Sequence, residues 1–118
     1  MNKVLIFGSG GRESAIAWKL AQSSLVESIV VAPGNAGMKT IAKTTISPCK
    51  LVEIEMLSLA QKLQPSLIII GPEQPLVDGV ADLLEESGFV VMGPHKAAAQ
   101  LELSKISAKT FMTEFAIP

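Results

Sequence analysis

The chain has 118 residues, one short domain's worth, with 10 Lys plus Arg against 11 Asp plus Glu and a formal net charge of −1. A hydrophobic content of 48% beside 18% charged residues is the balance of a folded globular chain, and the near-zero charge excludes a strong non-specific nucleic-acid binder, which needs a basic excess. A single cysteine, Cys49, and a single histidine, His95, exclude an intrachain disulfide and a tetrahedral zinc cage of nitrogen and sulfur ligands.

Lys3 to Phe7 (KVLIF) is an apolar run without alternation, which predicts a strand buried on both faces, as in a parallel sheet. It enters Gly8-Ser9-Gly10-Gly11, and Arg12 to Gln22 then reads as a helix. In that helix Ala15, Ile16 and Leu20 are assigned to the inner face, and Trp18 to the core. Glu27 to Ala32 predicts a second strand, stopped by Pro33-Gly34-Asn35, and Ile41 to Ile46 a weaker third. The loop Pro33-Gly34-Asn35-Ala36-Gly37 reads as a simple turn, and Cys49 beside Pro48 as a small apolar filler.

Val52 to Gln64 predicts a helix with Leu57, Ala60 and Leu63 near one stripe. Ser66 to Ile70 is the clearest strand, Gly71-Pro72-Glu73-Gln74-Pro75 a turn, and Leu76 to Ser87 a helix ended by Gly88. Phe89 to Met92 predicts a fifth strand, and His95 to Leu101 and Ser104 to Phe115 two closing helices. The aliphatic run Leu67 to Ile70 falls far short of the roughly 20 residues a bilayer helix needs. The N-terminus lacks the form of a signal peptide, so a cytoplasmic location is expected.

Strands and helices thus alternate, which predicts an α/β fold with a Rossmann-like, doubly wound parallel sheet. Right-handed crossovers place the loops after strands 1 and 4 on one edge, beside the switch point where such sheets bind ligands. The glycine cluster lets the backbone approach a ligand, and the N–H groups opening the next helix suit a phosphate. Nicotinamide-dinucleotide binding fits poorly. The third glycine of G-x-G-x-x-G is replaced by Glu13, and the end of strand 2 (Ala32-Pro33-Gly34-Asn35) offers no acid for ribose hydroxyls. Glu13 also reads as ordinary helix N-terminal electrostatics. Glu73, between two prolines, is a fixed carboxylate able to accept from an amine or sugar hydroxyls, or else a first-turn helix acid. Lys105 and Lys109 read by themselves as a solvated helix face. No catalytic set and no metal cluster follows from these residues.

Together the segments VLIFGSGGRESAIAWKLAQS, VAPGNAG, GPEQPLVDGVADLLEESG and GPHKAAAQLELSKISAKTFMTEFAIP resemble, over essentially the whole chain, the N-terminal part of the phosphoribosylamine–glycine ligase (glycinamide ribonucleotide synthetase) family. The resemblance implies an ATP-grasp ligase of purine biosynthesis. Its Mg²⁺-ATP (or Mn²⁺-ATP) phosphorylates glycine, and the amine of phosphoribosylamine attacks the acyl phosphate. It implies a pre-ATP-grasp, substrate-side domain over residues 1–103, and a helix over 104–118 leading to an ATP-grasp domain that this chain lacks.

Small molecules (phosphoribosylamine, glycine, ATP) and the remainder of the same polypeptide are the implied partners, with no nucleic acid or membrane. Gly10, Gly11, Arg12, Glu13 and Glu73 are expected to bind substrate, and Lys105 to contact nucleotide. No catalytic or metal-binding residue is expected within the chain, which is expected to be inactive alone. Ser14 stands where the family's G-G-R-E-H motif has histidine. A stand-alone nucleotide or dinucleotide module, and an interaction domain that has lost binding, are the alternatives.

Overall fold

The computed structural model describes residues 2–71 and 75–92. The expected closing helices, with His95 and Lys105, and Glu73 of the Gly71–Pro75 turn lie outside the described residues. In chain order the elements are β1 (Lys3–Gly8), α1 (Gly11–Ala21), β2 (Ser28–Pro33), a 3₁₀ turn (Ala36–Thr40), β3 (Thr44–Ile46), α2 (Glu53–Leu63), β4 (Leu67–Ile70), α3 (Pro75–Glu86) and β5 (Val91–Met92). All five strands are parallel, in the order β3-β2-β1-β4-β5. The winding reverses between β1 and β4, as the alternation of elements predicts.

The sheet is central because its strands are apolar on both faces. Alternation along β1 sends Val4 and Ile6 to one face, where they meet Ile29, Val31, Leu67 and Ile69 and the α1 residues Ile16, Ala17 and Leu20. Leu5 and Phe7 go to the other face, with Ala32, Ile68 and Ile70, under Met56 and Ala60 of α2 and Val80 and Leu84 of α3. Helices on both faces cover the sheet, the arrangement a parallel sheet requires.

Three expectations are corrected. Trp18 is 58% exposed rather than in the core. Residues 13, 16, 17 and 20 form the buried stripe of α1, and position 18 is two residues, roughly 200° of helix, from Ile16. Ala15 is likewise exposed, and Ala17 takes its place. The third strand begins only at Thr44, because Lys43 adopts φ 62° and Thr44 N–H donates back to Ile41 O in a turn. Lys43 Nζ then donates to the carbonyls of Ser23 and Val26, both at 2.9 Å, tying this turn to the segment between α1 and β2. The stripe of α2 is centred on fully buried Met56 and Ala60, with Leu57 and Leu63 at its margins.

Candidate functional site: the crevice between β1 and β4

The carboxyl end of β1 anchors its neighbouring loops on both sides. Phe7 O accepts the Gly71 N–H at 2.8 Å, and Gly8 O accepts the Gly34 N–H at 3.0 Å. The loops after β2 and β4 are thereby held level with the glycine loop. Between β1 and β4 lies a cavity of about 400 Å³ lined by residues 8–13, Leu51 and Gly71.

Gly10 is the N-cap of α1 and makes no side-chain cap bond, so the first-turn N–H groups open without a capping side chain. Ser14 N–H closes the first turn on Gly10 O at 3.1 Å. Gly10, Gly11 and Arg12 are exposed at this end of the helix. Arg12 reaches across the crevice, its Nη1 3.5 Å from Gly71 O.

Glu13 does something different. In the first turn of α1 it folds inward and is 7% exposed. A Cβ placed on Gly8 would come within 2.6 Å of both its Cγ and its Cδ, and one on Gly71 within 2.8 Å of its Cγ. Its Oε2 faces the Gly10 side, 3.3 Å from where a Cβ there would sit. The carboxylate is therefore wedged between the ends of β1 and β4, in space available only because Gly8 ends β1 and Gly71 follows β4. Gly8, at φ +141°, adopts backbone that side-chain-bearing residues rarely take. Among the described residues the Glu13 carboxylate has no hydrogen bond or ion pair.

The expected residues Gly10, Gly11, Arg12 and Glu13 are thus brought together at one cavity, and Glu73 and Lys105 lie outside the described residues. Sequence reasoning missed two contributors. Leu51, from the segment before α2, lines the cavity. Asn35 Nδ2 donates to Ser9 O at 2.8 Å, so the loop after β2 braces the glycine loop instead of being a simple turn. No local signal marks Leu51. Asn35 is visible only as a polar residue in a glycine loop on the same sheet edge.

Residues 2–102 match the family described as phosphoribosylglycinamide synthetase, N domain. The chain belongs to this family. It is 48% identical over 117 residues to the phosphoribosylamine–glycine ligase of Xylella fastidiosa strain 9a5c, an alignment covering 98% of this chain and 27% of that protein. It is 48% identical over 118 residues to the ligase of the same name from Chlorobaculum tepidum, covering 28% of it. The crystal structure of phosphoribosylamine–glycine ligase from Thermotoga maritima superposes with a TM-score of 0.50 at 36% identity, over 95% of this chain and 24% of that one. The chain therefore spans about a quarter of the length of these relatives. The Rossmann-like sheet is that of the family's N domain.

Among the described residues no helix is long and apolar enough to cross a membrane. No group of three or more His, Cys, Asp or Glu is placed to hold a metal ion among them either.

Proposed function

We propose that this chain is the substrate-side domain of an ATP-dependent ligase that joins glycine to 5-phosphoribosylamine, giving glycinamide ribonucleotide. The observation that carries the reading is an uncapped, glycine-rich helix N-terminus at the β1/β4 switch point of a chain belonging to this family. Gly10, Gly11, Arg12 and Glu13 bind the phosphoribosyl substrate, and Glu73 joins them from the loop after β4. Residues 1–103 form the substrate-side unit, and 104–118 lead toward the nucleotide, which Lys105 contacts. The reaction takes place in the cytoplasm.

In this reading glycine is activated as its acyl phosphate, and the amine of phosphoribosylamine displaces phosphate to form the amide. Mg²⁺-ATP, when bound, supplies the phosphoryl group. The metal and most of the ATP contacts are assigned to the rest of such a ligase, with Lys105 reaching the nucleotide from this chain. This chain binds and orients the phosphoribosyl substrate and forms no product alone.

Titration of the chain with ribose 5-phosphate, followed by amide NMR, tests the reading. Saturable shifts at residues 10–13 and at Glu73, with no response to NAD, are expected. NAD binding at the same loop would make the chain a dinucleotide module. Binding of neither ligand would make it a domain that has lost the site.

A further inference from the structure

The carbonyls that close β1 do not keep the alternation of a strand. Phe7 O turns toward β4 and accepts the Gly71 N–H, and Gly8 O turns toward β2 and accepts the Gly34 N–H. In extended backbone the next carbonyl, Ser9 O, would return to the β4 side and into the crevice. It stays on the β2 side instead, where Asn35 Nδ2 donates to it at 2.8 Å.

A trans peptide, which the Ser9–Gly10 bond is, points its C=O and N–H in opposite directions. With Gly8 O and Ser9 O both held toward β2, the N–H groups of Ser9 and Gly10 both face the β4 side, where the cavity lies. Among the described residues neither donates to another backbone group. Two successive N–H groups aimed into one hollow form an anion-binding concavity.

The peptide needs holding. Gly10, at φ −98°, has no Cβ, so turning the Ser9–Gly10 peptide over into positive φ costs little by itself. Turned over, it would present Ser9 O to the crevice, an acceptor facing an anion. The Gly34 bond comes from a backbone N–H, which any residue but proline supplies, and it fixes Gly8 O alone. The bond to Ser9 O is made by a side chain, and an acceptor there requires the amide nitrogen of Asn35. That side chain is also diverted from local use. Asn35 is the N-cap of the 3₁₀ turn, where Asn ordinarily accepts from its own turn, and it makes no cap bond.

Resting on the reading of the crevice as a phosphate site, we infer that Asn35 is a positioning residue for it. Asn35 fixes the Ser9–Gly10 peptide with its N–H toward the crevice, and so makes the glycine loop an anion cradle without touching the anion itself.

The test is NMR titration of the 118-residue chain with inorganic phosphate, in wild type and two variants, beside their melting temperatures. Asn35→Ala should weaken phosphate about tenfold, the worth of one hydrogen bond to a charged group. The saturating response of the Gly10 amide should shrink most, while the amides of Arg12 and Glu13 still respond. Asn35→Ser returns a capping side chain to the 3₁₀ turn but is too short to reach Ser9 O. It should keep the wild-type melting temperature and lose phosphate to the same extent, a split that a merely structural role would not give.

Phosphate affinity within twofold of wild type in both variants, or an unchanged Gly10 response, would overturn the assignment of Asn35 and leave the crevice a phosphate site. So would a loss that follows the melting temperature and is shared evenly by residues 9–13. A wild-type chain that does not respond to phosphate would overturn the crevice reading itself, and the role of Asn35 with it.

Discussion

The loops that follow β1 and β2 leave the same edge of the sheet, and both are rich in glycine, yet they do opposite things. The β2 loop is internally satisfied: Gly34 donates to Gly8 O, Asn35 donates to Ser9 O, and the chain then folds into a 3₁₀ turn that buries Met38. The β1 loop ends in an uncapped helix N-terminus and an acid with no partner among the described residues. Glycine in the first loop makes room for a ligand, and glycine in the second makes room for the protein's own packing. What separates a site from a brace is unspent hydrogen-bonding capacity, not glycine content.

The most disruptive way to break this contrast is Gly8→Ala. The new Cβ meets both a backbone at φ +141° and the seat of the Glu13 carboxylate. Strain and overpacking together should cost about 2–4 kcal/mol of stability by denaturant unfolding. Because the displaced carboxylate moves into the cavity, ribose 5-phosphate binding should vanish even where the variant is folded.

Gly34→Ala should cost less, about 1–3 kcal/mol, from its left-handed backbone and the approach of Ile46 Cγ2 to 2.6 Å. At temperatures where it remains folded, its ribose 5-phosphate affinity should stay within about twofold of wild type, since a factor of two is only a fraction of a hydrogen bond. A loss of binding larger than the loss of stability would mean that the β2 loop also touches ligand, and the division between site and brace would fail.

Gly11→Ala sharpens the same division from the other side. Nothing lies within 4 Å of a Cβ there, and its backbone is helical. The substitution should raise stability by about 0.5 kcal/mol through the unfolded chain while weakening ribose 5-phosphate, whose phosphate needs the space. Opposed changes in melting temperature and affinity are the signature of a position kept open for a ligand.

Much of this architecture is legible in the sequence, for a physical reason. Strands buried on both faces read as continuous apolar runs, so KVLIF and SLIII announce a parallel sheet, and alternation with helices locates the switch point. The loop glycines and the departures at Glu13 are equally visible. Where an aromatic lands on a helix is not: hydrophobicity assigns Trp18 to the core, but its phase on α1 puts it outside. The wedge of Glu13 between Gly8 and Gly71 also escapes a linear reading. It depends on the ångström-scale approach of two strand ends far apart in the chain, and either glycine alone looks like an ordinary turn residue.

The smallest expected effect lies in the segment after β3, a third connection running from the sheet into a helix. Leu51 there lines the crevice, while neighbouring Cys49 is half-buried against the same core face, with Sγ 3.3 Å from Lys50 O. Burial, and then the nearby Glu55 carboxylate, push the Cys49 thiol above its ordinary pKa. Below the ordinary thiol range both folded and unfolded chains hold this proton, so pH has no effect through it. As pH rises through that range the unfolded chain releases its proton first, and stability should decline toward alkaline pH. Cys49→Ala should flatten that part of the pH–stability curve, and alkylation of Cys49 in the folded protein should be slower than in the denatured chain. Ligand in the crevice should change the alkylation rate little, because Cys49 does not line it and sits instead in a separate depression with Pro48 and Glu55. Strong protection by ribose 5-phosphate would instead show that the 47–52 segment moves with the site, making it a third functional loop rather than a wall.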